Sequence, residues 1–572
     1  MIRSALTIMN IKEIGVIMSQ DKHKGKINLP QLILLGIGSL IGSGWLFGAW
    51  EASSIAGPAA ILSWIIGFIV IGTIAYNYIE IGVMFPQSGG MSNYAQYTHG
   101  SLLGFIASWA NWVSLVTIIP IEAVSAVQYM SSWPWDWAKF MGHLMHNGQI
   151  STVGLTAVYV IIAVFSLLNY WSVKLLTSFT SLISVFKLGV PLLTIIMLML
   201  SGFHTGNYGH SINQFMPYGS APIFAATTAS GILFSFNAFQ TIINMGSEVY
   251  KPEKNIARGV VISLVISAVL YIILQSTFIT SMPTGMLHEH GWSGINFNSP
   301  FADMAILLSL NWLAILLYIE AVVSPFGTGV SFVAVTGRVL QAMEQNGHIP
   351  KFLGKINKKY NIPRIAIAFN AIISMVMVTL FRDWGTLASV ISTATLVAYL
   401  TGPTTVIALR KMGPKLHRPF RAGMLKFMAP FSFVLASLAI YWAMWPTTAE
   451  VIFIIILGLP IYFFYEYKMN WKNTTKQIGG SLWIIVYLVI LALLSFIGSK
   501  EFKGINLIHY PYDFLVIAIV ALIFYYIGSS SYFESKYYKN AQKINKKMRK
   551  KLREERKREK AAKKAEKKAQ KA

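Results

Sequence analysis

Apolar residues occur along this chain in runs of about 20, separated by short polar linkers. A run of that length can cross the hydrocarbon core of a bilayer as an α-helix. The pattern therefore predicts an all-α polytopic membrane protein. About fourteen spans are predicted, and in chain order they cover residues 31–56, 58–84, 102–131, 152–170, 175–201, 221–246, 259–281, 303–337, 363–381, 385–409, 427–446, 449–467, 480–498 and 511–530.

The first predicted span is rich in glycine between Gly36 and Gly48, and Gly42-Ser43-Gly44 lies near its middle. Glycine lowers helix propensity by about 1 kcal/mol relative to alanine. One interpretation is an unwound backbone that offers its amides and carbonyls to a ligand, which membrane proteins tolerate only inside protein or around a cavity. The alternative is close packing of helices through small residues.

The sixth predicted span also contains small and polar residues, among them Ser230, Asn237 and Gln240. Its segment 230–234 (Ser-Gly-Ile-Leu-Phe) is similar to segment 43–47 (Ser-Gly-Trp-Leu-Phe) of the first span. Interrupted spans at corresponding positions of two inverted halves are typical of transporter binding sites near the membrane midplane. The second interruption therefore favours the unwound interpretation of the first.

The composition is that of a membrane protein, and it excludes several kinds of reactive and metal-binding site. Of 572 residues, 55% are hydrophobic and 12% are charged, where a soluble protein has about 25% charged residues. With no cysteine in the chain, disulfides, thiolate nucleophiles and cysteine metal sites are excluded. His288 and His290 share an outer loop, but two histidines without further ligands are expected to be solvated. We expect no metal, no cofactor and no enzymatic activity, because no catalytic cluster or phosphate-binding loop is found.

Lysine and arginine are concentrated in alternate linkers. The linkers of the opposite set contain only Lys139, Arg382, Lys500 and Lys503. The positive-inside rule then predicts a multi-pass protein of the cell membrane with both termini in the cytoplasm.

Much of the formal net charge of +25 lies in the C-terminal tail, where residues 536–572 hold eighteen Lys and Arg against four Glu. No aromatic residue follows Tyr538, and no nucleic-acid-binding fold is recognisable, so nucleic acid is not the expected partner. We expect the tail to lie near the anionic lipid head groups of the inner membrane face.

Three ionisable residues are placed deep inside predicted spans: Glu122 in the third, Lys187 in the fifth and Glu320 in the eighth. Charges at this depth are costly and usually face a partner or a cavity. Lys187 suits a group that gains and loses a proton in each transport cycle. Alternatively, Lys187 is a fixed cation that holds carbonyls of a broken helix. Glu122 and Glu320 can pair with Lys187, bind a substrate amine or relay protons, and all three residues are candidates for proton coupling.

Several stretches resemble the amino acid–polyamine–organocation (APC) superfamily, and others are similar to its bacterial aspartate–proton symporter branch. The first group comprises Gly36–Gly44, Gly57-Pro58, Ser63-Trp64, Tyr78–Tyr94 and Glu248–Arg258. The second group comprises Ile121-Glu122, Leu168–Lys174, Phe186-Lys187, Leu416–Phe420 and the helix pair after residue 479. Lys251 and Ala257 depart from the superfamily pattern, in the loop after the sixth span.

The resemblance implies a LeuT-like core of five-plus-five inverted-repeat helices, with discontinuous helices one and six. The expected organisation is a cytoplasmic segment 1–27, a transport core 28–410, peripheral helices 411–530 and a Lys-rich cytoplasmic tail 531–572. In relatives, helix-one amides hold the substrate α-carboxylate, and carbonyls of helices one and six take the α-ammonium. The corresponding residues are Ile41, Gly42, Ser43, Gly44, Phe236, Asn237, Ala238 and Phe239. A helix-five lysine replaces a sodium ion in some proton-coupled members, and Lys187 matches its place.

The sequence thus predicts a secondary active transporter that imports amino acids by proton symport with alternating access. Acidic amino acids such as aspartate and glutamate are the leading substrates. The residues support a site for the zwitterionic main chain more strongly than one for an acidic side chain, because no intramembrane arginine is present to pair with a second carboxylate. The alternatives are an amino acid exchanger without net proton flux and a transporter-like nutrient sensor.

Overall fold

The computed structural model describes residues 26–87, 90–171, 174–237, 239–357, 362–468 and 474–569. These ranges are almost entirely helical. The named strands within them, β1 (Met145–His146) and β2 (Gln149–Ile150), form one short antiparallel hairpin in which Met145 pairs with Ile150.

The α-helices of the first half are α1 (Leu29–Leu40), α2 (Gly44–Ala56), α3 (Ala60–Met84), α4 (Met91–Met130), α5 (Thr152–Trp171), α6 (Lys174–Ser201), α7 (Ile212–Phe215), α8 (Ala221–Ala229), α9 (Ile232–Ser235), α10 (Phe239–Asn244) and α11 (Pro252–Ser281). Those of the second half are α12 (Thr284–Gly294), α13 (Pro300–Leu307), α14 (Asn311–Gln345), α15 (Arg364–Leu380), α16 (Trp384–Tyr399), α17 (Thr401–Met412), α18 (Leu425–Tyr441), α19 (Thr447–Ile456), α20 (Leu459–Lys468), α21 (Thr474–Ile497), α22 (Tyr512–Gly528) and α23 (Lys536–Ala569). Short 3-10 turns cover Gly57–Ala59, Asp136–Leu144, Thr205–Tyr208 and Lys500–Phe502.

Every predicted span coincides with a helix or with a divided helix. In the described part of the chain, eight helical stretches are long and apolar enough to cross a membrane, or nine with the bent pair of the sixth span. Five further apolar helices are shorter. The predicted all-α polytopic architecture is confirmed.

Two predicted boundaries differ from the structure. The helical run of the third span begins earlier, at Met91 rather than at residue 102, but it is kinked at Gly100, whose φ of +81° is not helical, so the predicted start lies just after this kink. The turns before the kink are polar and are buried against other elements; His99, for example, lies with Nε2 2.8 Å from the carbonyl oxygen of Gly528. The eighth span is divided into α13 and α14 at Ser309, whose φ of +60° is incompatible with a helix. The second part, α14, continues to Gln345, beyond the predicted end of the span at residue 337.

The long helix α4 is the centre of the packing. It lies along α14 and α16, and the membrane-length part of α4 is buried throughout. On the other side, α11 packs against α1 and α3. The interrupted first span (α1 and α2) and sixth span (α8 to α10) are therefore enclosed by full-length helices.

A buried carboxylate anchors the loop between α17 and α18. Glu80, near the end of α3, accepts hydrogen bonds from Nε and Nη2 of Arg410 at 2.9 and 2.5 Å and from the amide of Ala422 at 2.8 Å. Arg418 adds an ion pair at 3.4 Å. Because Glu80 is fully buried, these contacts supply the compensation that a buried charge requires.

The Lys-rich tail forms the helix α23, which packs on the same loop. The hydroxyl of Tyr538 donates to the carbonyl of Met412 at 3.1 Å. Asn545 makes two hydrogen bonds with the backbone of His417: its Nδ2 donates to the carbonyl at 2.8 Å, and its Oδ1 accepts from the amide at 2.9 Å. The tail is therefore attached to the helical body by specific contacts as well as carrying charge.

Candidate functional site

The first span is unwound where the glycines predict it. Helix α1 begins with a capping box formed by Asn28 and Gln31 and ends at Leu40. Ile41 is extended, with φ −85° and ψ 94°, and α2 starts at Gly44. Gly42 and Ser43 thus connect two half-helices, and Ser43 is completely buried. The N-terminus of α2 therefore presents free amides inside the protein.

A carboxylate already faces these amides. The backbone N–H of Ser43 donates to both oxygens of Glu122, with distances of 3.2 Å to Oε1 and 3.1 Å to Oε2. A negative charge at a helix N-terminus is stabilised by the amide dipoles. The unwound segment is thus arranged to bind a carboxylate, and α4 supplies one.

The two glycines of this segment have different neighbours. A Cβ atom placed on Gly42 would lie 2.6 Å from Glu122 Oε1, so only glycine lets the carboxylate approach the backbone here. A Cβ atom on Gly44 would instead collide with the hydroxyl of Ser235 on α9. Gly42 therefore makes room for the carboxylate, whereas Gly44 makes room for the second unwound segment.

The second unwound segment lies between α8 and α10. Gly231 has a φ of +79°, and Asn237 and Phe236 follow α9 without continuing it. Ala238, one of the predicted substrate-binding residues, lies outside the described residues. The predicted interruption of both spans is present, at the positions that the sequence indicated.

Trp384, at the start of α16, joins the two segments. Its indole Nε1 donates to the hydroxyl of Ser43 at 3.0 Å, and its ring stacks on Phe47 with centroids 5.0 Å apart. The same ring lies where a side chain at Gly231 would be, since a Cβ there would lie 2.7 Å from Trp384 Cη2. Trp384 is not among the residues predicted for the site; the signal for it in the sequence is a tryptophan followed by an apolar run rich in serine and threonine.

The side chain of Asn237 is occupied by α16. Its Nδ2 donates to the hydroxyl of Thr395 at 2.9 Å, and its Oδ1 accepts from the hydroxyl of Tyr399 at 2.5 Å. The carbonyl of Asn237 also accepts from Tyr399 at 3.2 Å. These bonds hold the second segment against α16, so a ligand would use the backbone here rather than the amide side chain.

The two predicted phenylalanines pack against other aromatic rings. Phe236 makes edge-to-face contacts with Trp64 and Tyr271, and Phe239 packs on Tyr78 and Tyr399. Both side chains are completely buried. Their rings therefore shape the surroundings of the second segment, and their contribution to binding would come through their backbone.

Lys187 is brought to the first segment. Its ammonium donates to the carbonyl of Gly38 at 3.3 Å and to the hydroxyl of Thr328 on α14 at 2.7 Å. It also interacts electrostatically with Glu122 and Glu320. Lys187 thus holds a carbonyl of the broken helix, as one sequence interpretation predicts, and it lies within electrostatic range of both buried acids.

Glu320 lies on α14 and is completely buried. Its carboxylate interacts with Lys187 and not with the amides of the unwound segment. The three predicted proton-coupling residues therefore form one group on α4, α6 and α14, and within that group Glu122 contacts the unwound backbone. The role of each residue in transport stays a prediction.

The sequence matches the family described as "Amino acid permease" over residues 27–459. The chain belongs to this family. The permease is 49% identical to the glutamate/serine transporter AimA of Bacillus subtilis (strain 168) over 516 residues, which cover 90% of this chain and 95% of AimA. It is 33% identical to the aspartate-proton symporter of the same organism over 517 residues, covering 89% and 96% of the two chains. The branched-chain amino acid permease BcaP, also from that organism, is 26% identical over 480 residues, or 81% and 98%.

These similarities confirm the family that the sequence motifs resemble. The permease is a multi-pass membrane protein that transports amino acids, and it is not an enzyme.

Proposed function

We propose that the permease imports acidic amino acids and serine by proton symport, through alternating access to the two unwound segments. The observation that carries this proposal is the buried amide of Ser43, which donates to a carboxylate at the start of α2. A substrate α-carboxylate would bind at the same amides, from Ile41 to Gly44. Its ammonium would bind carbonyls of the segment around Phe236, Asn237, Ala238 and Phe239.

Proton coupling is supported by the charges beside the first segment. Lys187 interacts with Glu122 and Glu320 while holding the carbonyl of Gly38. A proton that enters or leaves this group changes the charge next to the broken helix. Since buried charges interact strongly, that change would alter how firmly the two half-helices are held.

The choice of substrates rests on the relatives and on the chemistry of the segment. AimA is named for glutamate and serine, and the 33% relative is named for aspartate. A site that binds mainly the amino acid main chain can accept both a carboxylate and a hydroxyl side chain. The charged residue beside the first segment is Lys187 and not an arginine, whose guanidinium group would favour a second carboxylate by bidentate binding. A site without that preference is consistent with both kinds of side chain.

We further propose that the permease lies in the cell membrane with both termini in the cytoplasm, and that α23 contacts anionic lipid. Because the chain contains no cysteine, a single cysteine introduced in α23 or in the hairpin β1–β2 gives an unambiguous label. An impermeant thiol reagent applied to intact cells should react at the hairpin and not at α23. Labelling at α23 in intact cells would show that the C-terminal tail lies outside, contrary to the proposal.

Uptake by the purified permease in proteoliposomes tests the transport proposal. Radiolabelled glutamate, aspartate, serine and leucine are compared with and without an acidic outside medium, and with and without amino acid inside. We expect the first three to accumulate under the pH gradient, and a protonophore to abolish accumulation. Transport that requires amino acid inside would indicate an exchanger, and binding without uptake would indicate a sensor.

The site is tested by Gly42→Ala with Gly72→Ala as its matched control. A methyl group at Gly42 would meet the carboxylate position, whereas one at Gly72 on α3 has no atom within 4 Å. Gly42→Ala should raise the KM for uptake at least about tenfold, since about 1.4 kcal/mol of binding corresponds to that factor. Equal KM values for the two variants would place the carboxylate site elsewhere.

A further inference from the structure

The carboxylate of Glu122 lies where the proposed function places the carboxylate of the substrate. Both of its oxygens accept from the amide of Ser43, and Gly42 leaves the space that one of them fills. Glu122 and Ser43 are completely buried. Two ionised carboxylates cannot share one helix N-terminus without strong repulsion, because both would be buried away from the water that screens charges at the surface.

The groups around Glu122 determine the cost of moving it. Lys187 on α6 and Tyr271 on α11 both interact with it electrostatically. The hydroxyl of Tyr271 donates to the carbonyl of Leu40 at the end of α1. Glu320 on α14 acts on the same lysine. The positive charge of Lys187 can thus compensate the negative charge of either acid. If Glu122 is protonated, Lys187 would compensate the charge of Glu320 and of the substrate carboxylate instead.

We propose that Glu122 is an internal competitor of the substrate: ionised, it occupies the amides of the first unwound segment, and protonated, it releases them to the substrate α-carboxylate. The inference rests on the proposed function and assigns its proton to a particular residue. The step is a proton transfer only. One proton adds to a carboxylate oxygen of Glu122, and the substrate carboxylate replaces the lost negative charge at the amides.

This competition explains why such a permease would perform net symport. A neutral carboxyl group is the weaker hydrogen-bond acceptor, so protonation lowers the hold of Glu122 on Ser43. After the substrate leaves, the ionised Glu122 returns to the amides and satisfies them during the return step. One proton therefore enters with each amino acid. A permease without this carboxylate would return readily only with substrate bound and would act as an exchanger.

The variant Glu122→Gln tests the inference. For the wild type, the KM for glutamate and for serine should rise with pH by up to about tenfold per pH unit, as the fraction of permease with protonated Glu122 falls. In Glu122→Gln the KM should be independent of pH between 5 and 8. Exchange of internal for external amino acid should continue, while accumulation driven by the pH gradient should be lost.

Two further variants make the result specific. Glu122→Asp keeps the charge but is one methylene shorter, so it should reach the Ser43 amide poorly and should also flatten the dependence of KM on pH. Glu51→Gln removes a carboxylate from α2 that lies beside Gly385 and not at the unwound segment, and it should keep the wild-type dependence.

The outcomes distinguish this inference from the proposed function. If wild type accumulates amino acids and Glu122→Gln keeps both a pH-dependent KM and gradient-driven accumulation, the inference is wrong and the proposed function stands. If wild type transports none of the amino acids, both are wrong. Loss of exchange in a Glu122→Gln protein that elutes and melts like wild type would also overturn the competitor role, because a competitor is not needed for exchange.

Discussion

Replacing Gly231 by alanine tests whether the contact between Trp384 and the second unwound segment controls the first. Gly231 has a φ of +79°, a conformation that costs an L-residue about 1–2 kcal/mol. The added methyl group would also lie 2.7 Å from Trp384 Cη2 and 3.0 Å from Ala388 Cβ. Overpacking of this kind costs about 1–3 kcal/mol more. The two costs together predict a destabilisation of about 2–5 kcal/mol.

Gly219→Ala is the matched control. Gly219 has a φ of +83°, but no atom lies within 4 Å of a Cβ built there, so this variant pays only the backbone cost. The difference in free energy of unfolding between the two variants therefore isolates the collision with Trp384, which we expect to be about 1–3 kcal/mol. It is measured as the change in stability in one detergent, by equilibrium unfolding followed through tryptophan fluorescence.

Transport should separate the two variants more sharply than stability does. Displacement of Trp384 weakens its hydrogen bond to Ser43, so Gly231→Ala should raise the KM for amino acid uptake while Gly219→Ala leaves it unchanged. Equal stability and equal KM for the two variants would refute the idea that Trp384 couples the two segments.

Four further predictions concern other parts of the molecule. Lys187→Met removes the cation that holds Gly38, so proton-driven accumulation in proteoliposomes should be lost while some exchange remains; full uphill uptake would contradict this. Glu80→Gln leaves Arg410 and Arg418 facing a neutral side chain, so the free energy of unfolding should fall by about 3 kcal/mol, measured by equilibrium unfolding. An unchanged unfolding transition would show that these ion pairs do not stabilise the permease. Asn545→Leu removes two hydrogen bonds of about 1 kcal/mol each, so hydrogen exchange in α23 should become roughly thirtyfold faster. Asn540 is exposed on the same helix, and the control variant Asn540→Leu should not accelerate exchange. Burial lowers the pKa of His348, in the loop after α14, from 6.5 to about 3. As the pH falls below about 6.5, the unfolded chain binds a proton at this histidine and the folded chain does not, so the free energy of unfolding should decrease, and it should decrease less in His348→Phe.

The sequence was sufficient to predict the helices and the two interruptions, since both depend on local composition. Long apolar runs define the spans, and Gly42 and Gly231 lie where the helices stop. The contacts that complete the site are not local. Glu122 reaches the amide of Ser43 across 79 positions, and Trp384 reaches the hydroxyl of Ser43 across 341. Which of several buried acids faces the unwound backbone depends on how α4 is rotated against α2, and hydrophobic periodicity does not encode that choice in a helix buried on all sides.

The tail gives a second example. Its basic composition predicted a membrane-facing charge, and its Lys, Glu and Ala residues favour a helix. Its attachment to His417 through Asn545 was not predictable, because nothing in the sequence distinguishes Asn545 from the exposed Asn540 of the same helix. Composition predicts the charge of such a segment, whereas the residues that it contacts are known only from the structure.

The collision that a side chain at Gly44 would make with Ser235 has a mechanical consequence. Because the two interrupted helices touch beside their unwound segments, with only the small side chain of Ser235 facing Gly44, neither can bend there without displacing the other. In the proposed alternating-access cycle, the half-helices on either side of this contact would therefore move together. Closing one face of the permease and opening the other would then be a single movement.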